Sequence, residues 1–299
     1  MDQLEILSPA KINLFLEVIA RRPDGYHEIE SVMQLVDLCD RIILARKPRG
    51  IRVSVVGAGV PSGRDNLAYQ AAGLLMEKMG LPDGVHISLE KRIPVASGLG
   101  GGSSNAAAVL AGLNRLYDLG HSRESLMELG AGLGSDVPFF LSNGLALATG
   151  RGELLTQLEP WPPMWLVLAN PGVPVSTAWA YAEASSKLTE WQPRSTITHL
   201  VTHDRLPWPP GWAFNRLEAV VLPQRVEVRA LKNLLEEGGG APVLMSGSGG
   251  TLFAVVPDAG TRRSLVARAQ AAGAFAVAVE TLARNPILTA TARNDEAGG

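Results

Sequence analysis

Apolar positions along the chain follow two periods, and the points where one gives way to the other mark the elements. The stretch from Ser8 to Val18 alternates over its second half. This predicts a strand with Ile12, Leu14, Leu16 and Val18 on one side and Lys11, Asn13 and Phe15 on the other. Apolar runs at 41–44, 51–56 and 86–93 predict further strands. The period turns helical at Leu67, Ala71, Leu74 and Leu75, with Asp65 or Asn66 as cap and Gly80 as stop. It does so again at Ala107, Leu110, Ala111, Asn114 and Tyr117, with Ser103 or Ser104 as cap, and over 123–132. In the second half, 165–169 reads as a strand, 214–218 opens a helical region running to Gly238, and 242–256 holds two apolar strands around Ser246–Gly250. A helix at 262–272 and a strand at 275–280 complete a β–α–β arrangement, the mark of an α+β unit with an antiparallel sheet. Residues 193–212, rich in proline and tryptophan, have no period and predict a surface excursion, and the polar end at 293–299 predicts a frayed tail.

Between the strand at 86–93 and the next helix runs Pro94-Val95-Ala96-Ser97-Gly98-Leu99-Gly100-Gly101-Gly102-Ser103-Ser104. Glycines without a Cβ let successive N–H groups converge on an anion, and a loop of this kind feeding a helix N-terminus is a phosphate site. It is not a Walker loop, because no lysine precedes Ser103 and Ser104, and not a dinucleotide fingerprint, because Ser103 stands where that pattern needs a third glycine or alanine. Lys91 and Arg92 arrive beside this loop, either near bound phosphates or fringing the sheet. The Pro23-Asp24-Gly25 turn presents Tyr26 and His27 side by side. Asp136, between Gly134-Ser135 and Val137-Pro138-Phe139-Phe140, is predicted to be buried, where a carboxylate needs a partner to stay ionised. His199 and His203 have zinc-helix spacing, but Leu200 stands where that motif needs glutamate.

Composition narrows the class of function. The 299 residues exceed the usual single domain, and 46% apolar with 19% charged residues suits a folded, soluble chain. A net charge near −2 argues against nucleic-acid binding, and the single Cys39 excludes a disulfide framework and predicts a small buried hydrophobe. No signal peptide or membrane-length apolar run is present, so a cytoplasmic protein with no membrane partner is expected.

Three separated segments, Ser8-Pro9-Ala10-Lys11-Ile12-Asn13-Leu14, the loop from Pro94 to Ala107, and Ser246-Gly247-Ser248-Gly249-Gly250, together resemble the GHMP kinases. Within that family, Arg22 to His27, Gly134 to Pro138 and Asn170-Pro171-Gly172 resemble the branch that phosphorylates the 2-hydroxyl of 4-diphosphocytidyl-2-C-methyl-D-erythritol in non-mevalonate isoprenoid synthesis. The resemblance implies a two-domain α+β fold: an ATP-binding domain over 1–155, like domain 2 of ribosomal protein S5, and a ferredoxin-like substrate domain over 156–299, with the site between them. It implies Asp136 as base with Lys11 paired to it. It further implies that ATP is held by Pro94 to Ser104 with Asn66 and Lys91, and that cytosine lies between Tyr26 and Tyr181 with His27 reading its edge. Asn13, Thr177 and the Gly247-Ser248-Gly249 turn complete the substrate side. Mg2+ is implied with ATP; its ligands are not identified, Ser104 being one candidate. A monomer or weak homodimer is expected. Two departures from the family pattern are Ser97, where glycine is common, and Arg216, where an acidic residue is common. Two other readings stay open: a homoserine or mevalonate type of kinase, which would have no use for Tyr26-His27, and a non-catalytic sugar or nucleotide sensor, which would need neither Lys11 nor Asp136.

Overall fold

Two long antiparallel strands, β1 (Gln3–Arg21) and β2 (His27–Lys47), form the spine of the first layer. Both outrun the segments predicted from alternation, because several polar residues that interrupt it, Asn13, Ser31 and Gln34 among them, are buried and hydrogen-bonded. The register shifts between Asn13 and Phe15. This bulge corrects the predicted faces: Phe15 joins Ile12 and Leu14 in the core between the sheets, while Leu16 turns to the side that carries Lys11 and Asn13.

β3 (Ile51–Val56), β4 (Gly84–Glu90), β5 (Leu145–Thr149) and β6 (Leu154–Gln157) extend this sheet. α1 (Leu67–Met79), α2 (Gly101–Leu116) and α3 (Arg123–Ala131) cover it, packing Ala71, Leu75 and Leu110 onto Ile6, Ile42 and Leu44. Asn66 caps α1 by accepting from the Ala68 N–H at 2.8 Å, and Gly80 ends it in the left-handed region. α2 starts earlier than predicted. Gly100, at φ +70°, is its cap, and neither Ser103 nor Ser104 caps it, because unbranched Gly101 and Gly102 let the first turn close before them.

The second layer is an antiparallel sheet of β7 (Trp165–Asn170), β9 (Val243–Met245), β10 (Leu252–Val255) and β11 (Phe275–Glu280), in the order β11-β7-β10-β9. With α4 (Thr177–Ser186), α5 (Glu218–Gln224) and α6 (Val226–Glu237) between β7 and β9, and α7 (Ala259–Ala271) between β10 and β11, it has ferredoxin-like connectivity. Of residues 214–218, predicted to open a helix, only Glu218 is helical. Phe214 and Asn215 form β8 (Phe214–Asn215), parallel to β1, because Asn215 donates to the carbonyls of Met245 and Gly247 and its Oδ1 accepts from the Leu217 N–H. Arg216, the departure from the family pattern, makes two 2.7 Å bonds to the buried Glu17 carboxylate. α8 (Pro286–Thr289) also returns to the first layer, where Ile287 enters its core. Cys39 is half-buried rather than buried, its thiol pushed up to about 12 by burial, with Asp37 and Asp40 adding to the shift.

This computed structural model describes residues 2–57, 59–81, 83–187, 197 and 212–289. The predicted excursion at 193–212 lies outside them apart from Ile197 and Trp212, and so do His199, His203 and the tail at 293–299. No helix among the described residues is long and apolar enough to cross a membrane.

Candidate active site

A cleft of about 1110 Å3 runs between the two layers. The glycine loop forms one wall, and its shape depends on the second small-residue loop. Ser246 Oγ donates to the Gly98 carbonyl at 3.0 Å, the Thr251 N–H to the Ser97 carbonyl at 3.2 Å, and the Lys11 N–H to the Leu99 carbonyl at 3.0 Å. Gly98, at φ +80°, sits so close that a Cβ would lie 2.1 Å from the Ser246 carbonyl oxygen. Pro94, Val95, Ala96, Ser97, Gly98, Gly100, Gly101, Gly102 and Ser103 line the cleft.

Three of the expected site residues lie behind the wall instead. Leu99 points into the core between the sheets. The buried Ser104 hydroxyl shares a 2.7 Å hydrogen bond with Ser8 and does not line the cleft. Gly249 packs against Met245, whose Sδ would lie 2.2 Å from an added Cβ. Asn66 lines the cleft, its amide oxygen capping α1 and its Nδ2 donating to the Pro61 carbonyl at 2.7 Å.

At the centre Lys11 Nζ stands 3.7 Å from Asp136 Oδ2. Its ammonium donates to Asn13 Oδ1 at 2.6 Å, Asn13 Nδ2 to Ser31 Oγ at 2.7 Å, and Ser31 Oγ to the Phe15 carbonyl at 2.7 Å. This chain of bonds runs across the bulge and fixes where the lysine head lies. Asp136 is less buried than predicted: its side chain is 32% exposed, against 5% for Lys11. Val137 and the 3₁₀ turn Pro138–Leu141 take the burial, leaving the carboxylate at the cleft surface, where a cation faces it.

At the far end, Tyr26 is 53% exposed, and the Arg151 guanidinium lies 4.7 Å from its ring centroid. Tyr181, on α4, packs against His27 with centroids 5.2 Å apart, and Ser185, one turn further on, hydrogen-bonds His27 Nε2. Burial, with Arg21 as a smaller cause, holds the His27 imidazole below the usual histidine range. Burial, with the Asp136 charge added, raises the Tyr181 phenol. Thr177 Oγ1 and Ser248 Oγ, 2.8 Å apart, tie α4 to the second loop, and Gly247 and Ser248 line the cleft beside them. Arg21, Arg151 and Ser185 are cleft residues that the sequence reading missed. Arg151 stands between Gly150 and Gly152 at a strand end, and Ser185 is four residues after Tyr181; both spacings were legible signals. Among the described residues no three His, Cys, Asp or Glu side chains cluster as a metal site.

Residues 66–144 match the family model for the GHMP kinase N-terminal domain, and residues 211–274 that for the C-terminal domain. A 4-diphosphocytidyl-2-C-methyl-D-erythritol kinase from Geobacter sp. (strain M21) is 44% identical over 94% of this chain and 100% of its own length. The enzyme of that name from Shouchella clausii (strain KSM-K16) is 47% identical over 84% and 85% of the two chains. The crystal structure of a 4-(cytidine 5'-diphospho)-2C-methyl-D-erythritol kinase superposes with a TM-score of 0.76 at 36% identity, covering 93% of this chain and 98% of the other. Homoserine kinase from Cytophaga hutchinsonii ATCC 33406, at 17% identity and a TM-score of 0.68 over 95% and 96% of the two chains, shares the fold. The two-layer architecture, the paired glycine loops and this identity across nearly the whole length place the chain in the GHMP kinases, as a member of the 4-diphosphocytidyl-2-C-methyl-D-erythritol kinase family.

Proposed function

We propose that this protein transfers the γ-phosphoryl group of ATP to the 2-hydroxyl of 4-diphosphocytidyl-2-C-methyl-D-erythritol, a step of non-mevalonate isoprenoid synthesis. The observation that carries the reading is the Lys11–Asp136 pair, set in one cleft with a glycine loop that opens a helix and with the Tyr26, His27 and Tyr181 rings. Asp136 accepts the proton of the attacking hydroxyl. Lys11, 3.7 Å away, faces that carboxylate and offsets charge on the group in transit. A general base supplies about 10²–10⁴-fold, so positioning and the N–H donors around the phosphates contribute most of the acceleration.

The nucleotide phosphates lie against the loop from Gly98 to Ser103, and the pyrimidine of the acceptor against Tyr26, His27 and Tyr181. Mg2+ suits this donor set. Carried on ATP it takes most of its oxygens from phosphate and water and needs only one or two from protein, and Ser103 offers a hydroxyl at the start of α2. The ion would neutralise phosphate charge there. ADP release should be measured with 4-diphosphocytidyl-2-C-methyl-D-erythritol, homoserine, mevalonate and no acceptor. Turnover with the cytidyl compound alone is the expected result; turnover with another alcohol alone would discard the substrate assignment, and none with any would discard the kinase.

A further inference from the structure

Asp40 lies in β2, outside the catalytic cluster, and is fully buried. Its carboxylate accepts four hydrogen bonds: from Lys91 Nζ, from Asn105 Nδ2 at 2.9 Å, and from the N–H groups of Arg92 at 2.8 Å and Ile93 at 2.9 Å. The last two belong to the chain just before the glycine loop, and Asn105 belongs to the second turn of α2. One carboxylate therefore grips both ends of the loop.

It also fixes Lys91. The Lys91 N–H donates to the Val56 carbonyl at 2.8 Å. Gly57 lies so close to the Lys91 stem that an added Cβ would be 3.0 Å from Lys91 Cβ. Nζ donates to Asp40 and, at 3.2 Å, to Asn105 Oδ1. The ammonium sits beside the first turn of α2, 3.2 Å from where a Cβ on Gly101 would stand. A helix N-terminus repels a cation. The buried Asp40 carboxylate offsets that repulsion. Lys91 lines the cleft with one of its three N–H groups left over, and its charge is compensated in place.

We propose that Asp40 is a positioning residue for the nucleotide: it converts Lys91 from a mobile cation into a single directed N–H donor. This rests on the reading of the cleft as an ATP site. In D40N the negative charge is gone and one oxygen becomes a donor that must face either Lys91 Nζ or the Arg92 and Ile93 N–H groups, so the lysine loses its compensation.

The test is steady-state kinetics and ADP titration of D40N, K91M and D40N/K91M. In D40N the KM for ATP and the Kd for ADP should each rise at least about 10-fold, the loss expected for a buried hydrogen bond between charged groups. The KM for the cytidyl substrate should stay within about 2-fold, since Asp40 touches none of that end of the cleft. In the K91M background the same D40N change should cost markedly less. An equal cost in both backgrounds would make Asp40 merely structural and overturn the proposal. So would tighter ATP binding in D40N, which would mean that the carboxylate restrains a phosphate-binding cation. If D40N does not fold, N105A replaces it: a rise of about 3-fold or more in ATP KM alone supports the proposal, and no change overturns it. Wild-type protein that binds no ADP would instead sink the ATP reading itself.

Discussion

Asp136 and Lys11 show how little separates a structural ion pair from a reactive one. At 3.7 Å they attract without a direct hydrogen bond, so the carboxylate keeps its lone pairs for a substrate hydroxyl. D136N should therefore lower kcat by at least about 10²-fold while leaving ATP binding near the wild-type value, measured as ADP release and as ADP affinity. His27 makes a second prediction at this scale. Burial and Arg21 disfavour its protonated form, so its folded pKa lies below the ordinary value of about 6.5. The imidazole is neutral at neutral pH, and the KM for the cytidyl substrate should be flat above about pH 6.5 and rise only below it. The sign for stability is the same: as pH falls through that value the unfolded chain takes up a proton that the folded chain resists, so stability declines. A pH series of KM for wild type and H27Q checks it; the low-pH rise should vanish in H27Q.

Individual residues act here through elements that two loops hold against each other. Gly98 illustrates the tolerance. A methyl group there would strain the left-handed backbone and strike the Ser246 carbonyl, whereas at Gly102 it would meet only Leu67 Cδ1 at 3.4 Å. Gly98→Ala should cost about 1–3 kcal/mol of stability and raise the ATP KM, while Gly102→Ala should melt near wild type; thermal melts of the pair read this. The helices that the sequence located best were those with local signals, as at Asn66 and Gly80 around α1. Elements were misplaced where a long-range bond decided. Asn215 ends in a strand because two carbonyls from the β9 side claim its amide, and β1 changes face at a bulge that alternation cannot register.

At the scale of the whole molecule, the chain crosses between layers more than once. After β11, Thr281 bridges back to Val36, and Asn285 donates to the carbonyls of Phe140 at 2.7 Å and Ser142 at 2.8 Å, at the end of the 3₁₀ turn that follows Asp136. Asn285→Ala would strip both buried carbonyls of this donor and should cost about 1–3 kcal/mol in denaturant unfolding, with kcat per folded molecule little changed. The residues that resemble a family motif were legible from the chain alone, because the chemistry of phosphates and proton transfer restricts residue types locally: glycines in Pro94 to Ser103, Lys11 on a strand, Asp136 in a turn. Tertiary structure alone decided which of them reach the cleft. Leu99, Ser104 and Gly249 lie within those motifs yet face inward, and Arg21, Arg151 and Ser185 lie outside them yet line the wall. The physical reason is that a sequence motif fixes backbone freedom and donor type, whereas the direction of each side chain follows from what the opposite layer presses against it.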